Sequence, residues 1–375
     1  MKIMMVSPFP VKNDAVVGGV EGVAFYLAKA LKSLGVNVEV IVPNAQSYGI
    51  NKIEIKLNND IPVHYLPTSG IMPISVKNLM ILPELESYLS KQNYDLLHSQ
   101  GVATWALASC KPAVLTIHGI NELDTLFRGN KILAKIRSNV IRVTEGRQRS
   151  SVRNIIAINP YVKKFISKRH AGSVWDIPNP VSDTYFEVKR NAVQGRIAYI
   201  GTVMPRKNQM SFIRGFSRFA QRHLEAEVIF AGSGENSEYA IQCRRVASSL
   251  GLSERVKFVG SLSVGELQSL LSTCDFAALF SQQETAPLSI SECMAAGVPF
   301  VSSGICGIPY MIKNYDTGIV ASGNEDDDIA SALEIIYSLD REKMSNSSRE
   351  VAKNLYSSAR VACETLHVYE SILNK

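Results

Sequence analysis

The chain has 375 residues, 46% of them hydrophobic, and carries 40 Lys and Arg against 34 Asp and Glu, for a net charge of +6. That length suits two domains of ordinary size with well-buried cores, and no low-complexity tract of the kind that leaves a chain disordered interrupts it. No apolar run is long enough to span a bilayer, the start reads as a first strand and not a signal peptide, and the six Cys show no C-x-x-C spacing, so a cytoplasmic protein with free thiols is expected.

The first half alternates short apolar runs with helical stretches. Residues 3–6, 38–42, 96–98, 113–117, 155–158 and 174–177 read as strands, and 20–34, 77–91, 101–109, 130–149 and 160–169 as helices. Such alternation implies parallel strands with helices on both faces, and ligands that bind beyond the carboxyl ends of the strands. Gly18 and Gly19 open the first helix, where backbone without side chains can approach a ligand. The turn after the first strand, Ser7-Pro8-Phe9-Pro10, has no G-x-G-x-x-G, which argues against a dinucleotide cofactor. His98 and His118 both end strands on the predicted ligand side. A lone His at such a place is otherwise a hydrogen-bonded loop residue, and no second His or carboxylate stands at metal-ligand spacing.

Charge is shared unevenly. Residues 1–180 hold 21 Lys and Arg against 12 acids, whereas residues 181–375 hold 19 against 22. Within 128–170 there are 12 basic residues and a single acid, Glu145. An anionic partner of the first half follows. Nucleic acid lacks support, since no binding motif or aromatic–basic interleaving is present. Anionic lipid headgroups fit better, although a solvated basic face gives the same composition.

Ile177-Pro178-Asn179-Pro180-Val181 closes the first alternation, and residues 178–195 read as a linker. A second alternation follows, with strands at 197–200, 227–231, 256–259, 276–279 and 299–302. Arg206 and Lys207 stand in the turn after its first strand, where a cation can face a diphosphate; a solvated basic turn is the alternative. Gly232 and Gly260 follow the next two strands. Residues 284–297, E-T-A-P-L-S-I-S-E-C-M-A-A-G, place Glu284 in a loop, Pro287 in the first turn of a short helix, and Glu292 on that helix. The free amides of Leu288 and Ser289 would point out of the helix N-terminus, which attracts phosphate. Asp326-Asp327-Asp328 contains a D-x-D, but acids at a helix start need no metal to explain them. Residues 358–373 read as a last helix.

Glu284 and Glu292, with Leu288, Met294, Ala295, Gly297 and Pro299, resemble the E-x7-E motif of retaining glycosyltransferases of family 4, which have the two-domain GT-B fold. Thr285, Ala286 and Pro287 stand where that family often has Gly-Phe-Gly. Gly18-Gly19 is similar to the family's G-G loop, Thr116-Ile-His118 to its T-x-H, and the I-P-N-P-V run to the end of its first domain. Lys207 is in register with the Lys of G-R-x4-K, but Thr202 stands at the Arg, so Arg206 is the candidate replacement. Gly232 and Gly260 resemble the V-G-x-G turn and the V-x-F-x-G strand near the nucleotide base, and Tyr310 occupies a position where Glu often stands.

The resemblance implies an α/β GT-B fold with two Rossmann-like domains facing a central cleft. Residues 1–180 would form the acceptor side, 181–357 would bind the nucleotide sugar, and 358–375 would return as a helix to the first domain. It implies transfer from a UDP- or GDP-sugar to a saccharide or lipid-linked saccharide in cell-envelope polysaccharide or glycolipid synthesis, with retention, no metal and no cofactor besides the donor. His118, Glu284 and Lys207 would be catalytic. Gly18, Gly19, Arg206, Gly232, Gly260, Thr285, Ala286, Leu288, Ser289 and Glu292 would hold the donor, and His98 would lie toward the acceptor. A non-catalytic module of the same fold that binds nucleotide sugars is the alternative. Peripheral attachment to the inner face of the cell membrane would follow from a lipid-borne acceptor and the basic 128–170 stretch.

Overall fold

The computed structural model describes residues 1–11, 19–68, 74–127, 129–168 and 170–374. They form two compact units, Met1–Pro180 with Ser358–Lys375, and Val181–Ser357.

The first unit is an eight-stranded sheet built from β1 (Lys2–Val6), β2 (Asn37–Pro43), β3 (Glu54–Asn58), β4 (Ile61–Leu66), β5 (Leu96–Gln100), β6 (Ala113–Ile117), β7 (Asn154–Ala157) and β8 (Ser173–Asp176). Their order is β3-β4-β2-β1-β5-β6-β7-β8, and only the β3–β4 pair is antiparallel. β1 reads as an unbroken apolar run because both of its faces are covered. Ile3 and Met5 join the core on one face, and Met4 and Val6 the core on the other. The sequence reading missed the β3–β4 hairpin. Its two-residue turn, Asn59-Asp60, has φ of 48° and 58°, the left-handed pair that tight hairpins require. The helix expected over 77–91 is instead two, Ile74–Met80 and Leu82–Leu89, with Pro83 in the first turn of the second. A proline ring cannot be accommodated by a helix continuing from the preceding turn.

The second unit is a six-stranded, wholly parallel sheet of β9 (Arg196–Ile200), β10 (Glu227–Ala231), β11 (Val256–Gly260), β12 (Phe276–Leu279), β13 (Phe300–Ser303) and β14 (Gly318–Ala321), in the order β11-β10-β9-β12-β13-β14. The first strand is central, and the chain reverses its direction of travel across the sheet between β9 and β12. That switch point is where open α/β sheets leave a crevice beyond the strand ends. In the first unit the equivalent reversal falls between β1 and β5.

Residues 178–195 are more ordered than a linker reading suggests. They contain a short helical turn, Asp183–Glu187, and Arg190 donates to the carbonyls of Gly297 at 2.8 Å and Asp275 at 2.9 Å. Those bonds let a charged side chain fasten the segment to the second unit, at the cost of a burial that lowers the Arg190 pKa. Among the described residues no helix is long and apolar enough to cross a membrane.

Candidate active site

In the second unit the chain leaves β9 through Gly201 and enters a short helical turn, Pro205–Lys207. Tyr199, buried on β9, packs against Phe212 and Phe230 with ring centroids 4.8 and 5.1 Å away. Its hydroxyl accepts from the Phe280 amide at 2.9 Å and donates to the Lys207 carbonyl. One phenol thus ties the loop after β9 to the loop after β12, and so sets where Lys207 and Glu284 meet. The Lys207 ammonium lies 2.5 Å from Glu284 Oε1, and Arg206 Nη1 lies 3.1 Å from the same oxygen. Arg206 Nη1 also donates to the Gln283 carbonyl at 2.6 Å. Arg206 therefore points inward, a direction that sequence could not supply. Both Lys207 and Glu284 are buried, so charge pairing between them is only weakly screened.

The helix carrying the second glutamate is Leu288–Ala295. Pro287 does not enter its first turn as expected; it caps it, with φ −66° and ψ 123°. Its fixed φ suits the cap, and the missing N–H makes Leu288 and Ser289 the first amides of the helix. Thr285 and Ser289 are buried, whereas Ala286 and Leu288 are half-buried. Around Glu284, the side-chain atoms Ser281 Oγ, Gln283 Nε2, Ser289 Oγ, Arg206 Nε and Asn324 Oδ1 are buried with no hydrogen-bond partner among the described residues. Such atoms cost stability unless something bonds them. A concentration of them beside a carboxylate and two cations suits a ligand rich in hydroxyl and phosphate groups. Gln283, Ser281 and Asn324 escaped the sequence reading; for the first two, the only signal was proximity to Glu284.

Glu292 is half-buried, and burial pushes its pKa up to about 7. No hydrogen bond or ion pair among the described residues reaches its carboxylate. Hydroxyl groups donating to it would restore the charge.

Gly232 and Gly260 serve close approach of loops. A Cβ on Gly232, at φ +150°, would lie 2.3 Å from the Gly201 carbonyl oxygen, and its amide donates to the Gly260 carbonyl at 2.8 Å. A Cβ on Gly260, at φ +75°, would lie 3.1 Å from Glu235 Oε1. The turns after β9, β10 and β11 are thus pressed together at the crevice, with backbone exposed to whatever binds there. Asp328 belongs to a capping box with Glu325 that starts the helix Asp326–Ser338. Tyr310 is exposed in the turn Ile308–Tyr310. Among the described residues no three His, Cys, Asp or Glu side chains converge as a metal site would need.

In the first unit the two histidines are joined. His98, expected on the acceptor side, is fully buried and cannot contact an acceptor. Its ring bonds Tyr369 on the last helix, Ser358–Leu373, at 2.6 Å and Thr116 at 2.7 Å. The Gln100 amide nitrogen lies 3.2 Å from His98 Nε2, and the Gln100 oxygen lies 2.7 Å from His118 Nε2. His118 is half-buried at the end of β6, and its Nδ1 lies 3.1 Å from the Asn179 side-chain oxygen. Burial lowers the pKa of His98 to about 3 and that of His118 to about 4, so both are neutral at pH 7. Gln100 Oε1 and Asn179 Oδ1 can each only accept, so neutral His118, with a single N–H, donates to one of the two, and the shorter contact favours Gln100. Gln100 could have been found, since residues 98 and 100 share one face of a strand. Gly19 is exposed at the start of the helix Gly19–Ser33; Gly18 lies outside the described residues.

The family model described as "Glycosyl transferases group 1" matches residues 183–354, and that described as "Glycosyltransferase Family 4" matches residues 17–185. An uncharacterized glycosyltransferase of Bacillus subtilis, YqgM, is 22% identical over 100% of this chain and 99% of its own length. The phosphatidyl-myo-inositol mannosyltransferase of Mycobacterium leprae is 22% identical over 99% of this chain and 97% of its own. An uncharacterized glycosyltransferase of Methanocaldococcus jannaschii, MJ1607, is 29% identical over 46% of this chain and 44% of its own. Among solved structures, sucrose-phosphate synthase from Thermosynechococcus elongatus superposes with a TM-score of 0.80 at 17% identity, covering 100% of this chain and 99% of that one. Anabaena HepE, solved with UDP-glucose, gives 0.74 at 16% identity, covering 99% of this chain and 100% of that one. With both units matched in sequence and the whole chain matched in fold, this protein belongs to the family 4 glycosyltransferases of GT-B fold.

Proposed function

We propose that the protein moves a sugar, with retention and without a metal, from a UDP- or GDP-sugar to a saccharide or lipid-linked saccharide acceptor of the cell envelope. The observation that carries this reading is Glu284 held between Lys207 and Arg206 at the β9/β12 switch point, amid unpartnered buried polar atoms. An arriving diphosphate competes with Glu284 for the two cations. As the sugar leaves, Lys207 and Arg206 stabilise the charge growing on the diphosphate, and the amides of Leu288 and Ser289 add to it. Glu284, held by two cations, is a poor nucleophile; its part is to orient the sugar and to balance charge. Glu292 accepts from the ribose hydroxyls, and neutral His118 donates from Nε2 or exchanges Gln100 for a sugar hydroxyl. The UDP-glucose bound by HepE and the phosphatidyl-myo-inositol named for the M. leprae relative support the donor and acceptor classes.

The test is a thermal-shift panel of UDP, GDP, ADP and their common sugars on wild type and Glu292→Ala, followed by transfer assays with the donor found. A donor at a hundred times its dissociation constant stabilises by about 2.7 kcal/mol. A shift for one base that Glu292→Ala abolishes is the expected result. Binding without transfer or hydrolysis would favour the non-catalytic module, and no shift for any nucleotide would overturn the donor assignment.

A further inference from the structure

The helix Lys131–Ser151 has 21 residues, of which only Ala134 is buried. A helix of a soluble domain ordinarily turns its apolar stripe to the core. Here the stripe faces outward: Leu133 is 61% exposed, Ile136 57%, Val140 56% and Val143 47%. Their spacings of three, four and three residues put them on one face. The packed face is a different one. Ser138 donates to the Glu122 carbonyl there, and Arg149 forms an ion pair with the Glu122 carboxylate.

The same helix carries six Lys and Arg and one acid. The nearby acids are already engaged, Glu122 by Arg149, and Glu145 by Arg149 at 3.6 Å and Asn121 at 3.0 Å. Among the described residues no acid forms an ion pair with Lys131, Lys135, Arg142 or Arg147. On the packed side of the helix, against Pro160–Ser167, lies a cavity of 590 Å³ lined by Ser138, Arg142 and Arg149 together with Glu122, Leu126 and Phe165. An exposed apolar stripe on a helix with six Lys and Arg and one acid matches the boundary layer of an anionic bilayer, where acyl chains meet phosphate.

We propose that this face of the first unit docks on a phospholipid surface bearing anionic headgroups, with Leu133, Ile136, Val140 and Val143 inserted at the acyl boundary and the cations of the helix drawn toward the headgroup phosphates. The proposal deepens, and rests on, the lipid-borne acceptor of the reading above. A second copy of the chain is the competing occupant of an apolar face, but two faces each carrying this charge would repel.

The experiment is co-sedimentation of the full chain with vesicles of phosphatidylcholine alone and of phosphatidylcholine mixed with phosphatidylglycerol. Val140→Glu is the test variant. Leu224→Glu, at a 79% exposed residue of the second unit, is the control. Wild type and control should sediment with the anionic vesicles and not with the neutral ones, while Val140→Glu partitions roughly tenfold less. Wild-type protein that ignores anionic vesicles overturns the proposal, and so does Val140→Glu sedimenting as well as wild type. A wild-type dimer that Val140→Glu converts to monomer assigns the stripe to a second copy and also overturns it. The nucleotide-induced thermal shift, read on the same preparations, reports on the donor site alone, so failure of docking is separable from failure of the glycosyltransfer reading.

Discussion

At the scale of single residues, pH acts with opposite sign on the buried groups of the two units. His98 and His118 have pKa values lowered by burial, to about 3 and about 4. The unfolded chain therefore binds more protons than the native one below pH 6.5, and stability from these groups, full above that value, falls as pH drops toward 4. At pH 5 each histidine costs roughly 2 kcal/mol relative to pH 7. Urea unfolding followed in the first unit should show this loss, and His98→Asn should flatten the slope. Glu292 acts with the opposite sign. Its raised pKa means the native state holds the extra proton, so stability present at pH 4.5 is lost as pH rises to about 7. Glu292→Gln should make the unliganded second unit more stable than wild type at pH 8, by on the order of 2 kcal/mol, while weakening donor binding. If the variant is less stable at pH 8, the carboxylate has a partner that the unliganded structure does not reveal. For the ion pair, Lys207→Met leaves Glu284 with Arg206 alone. A fall of about 10²–10³ in kcat is expected, with the donor still bound more weakly.

At the scale of elements, glycines at the crevice separate close approach from ordinary loop flexibility. Gly232→Ala drives a Cβ into the Gly201 carbonyl at a φ of +150°, so it should cost well over 1 kcal/mol and blunt nucleotide binding. Gly265 sits in the first turn of the helix Val264–Thr273, where a Cβ would meet nothing within 4 Å. Gly265→Ala should therefore stabilise by up to about 1 kcal/mol. Comparing the two melting temperatures checks both. Elements were legible where one signal dominated. The continuous apolar runs of β1, β6 and β12 and the long periodic helix Lys131–Ser151 are such cases. They were misread where local chemistry decided: Pro83 split one expected helix, Pro287 delayed another by a residue, and the Asn59-Asp60 turn made a hairpin whose edge strand leaves Ile55 and Leu57 exposed.

At the scale of the whole molecule, the first unit is discontinuous, since its last helix arrives only after the second unit is complete. That helix supplies Val361, Ala362, Val368, Tyr369 and Ile372 to the first unit's core, and Tyr369 bonds His98. Ending the chain at Tyr356 would strip off side chains worth roughly 1.5–3 kcal/mol each, a sum comparable with a domain's entire stability. Hydrogen exchange should then show the first unit's strands unprotected while β9 to β14 keep their protection. Equal loss in both units would show that they fold as one. The sequence by itself determined the α/β class, the family and the stretch around Glu284, because apolar periodicity and the spacing of one carboxylate before a short helix and one on it are local properties of the chain. Tertiary structure alone decided that Arg206 turns toward Glu284, that Tyr199 fixes Lys207, that His98 is buried beneath His118's partner Gln100, and that an apolar stripe faces outward. Each of those depends on groups brought together from distant parts of the chain by the strand order, and on burial, which no run of residues carries within itself.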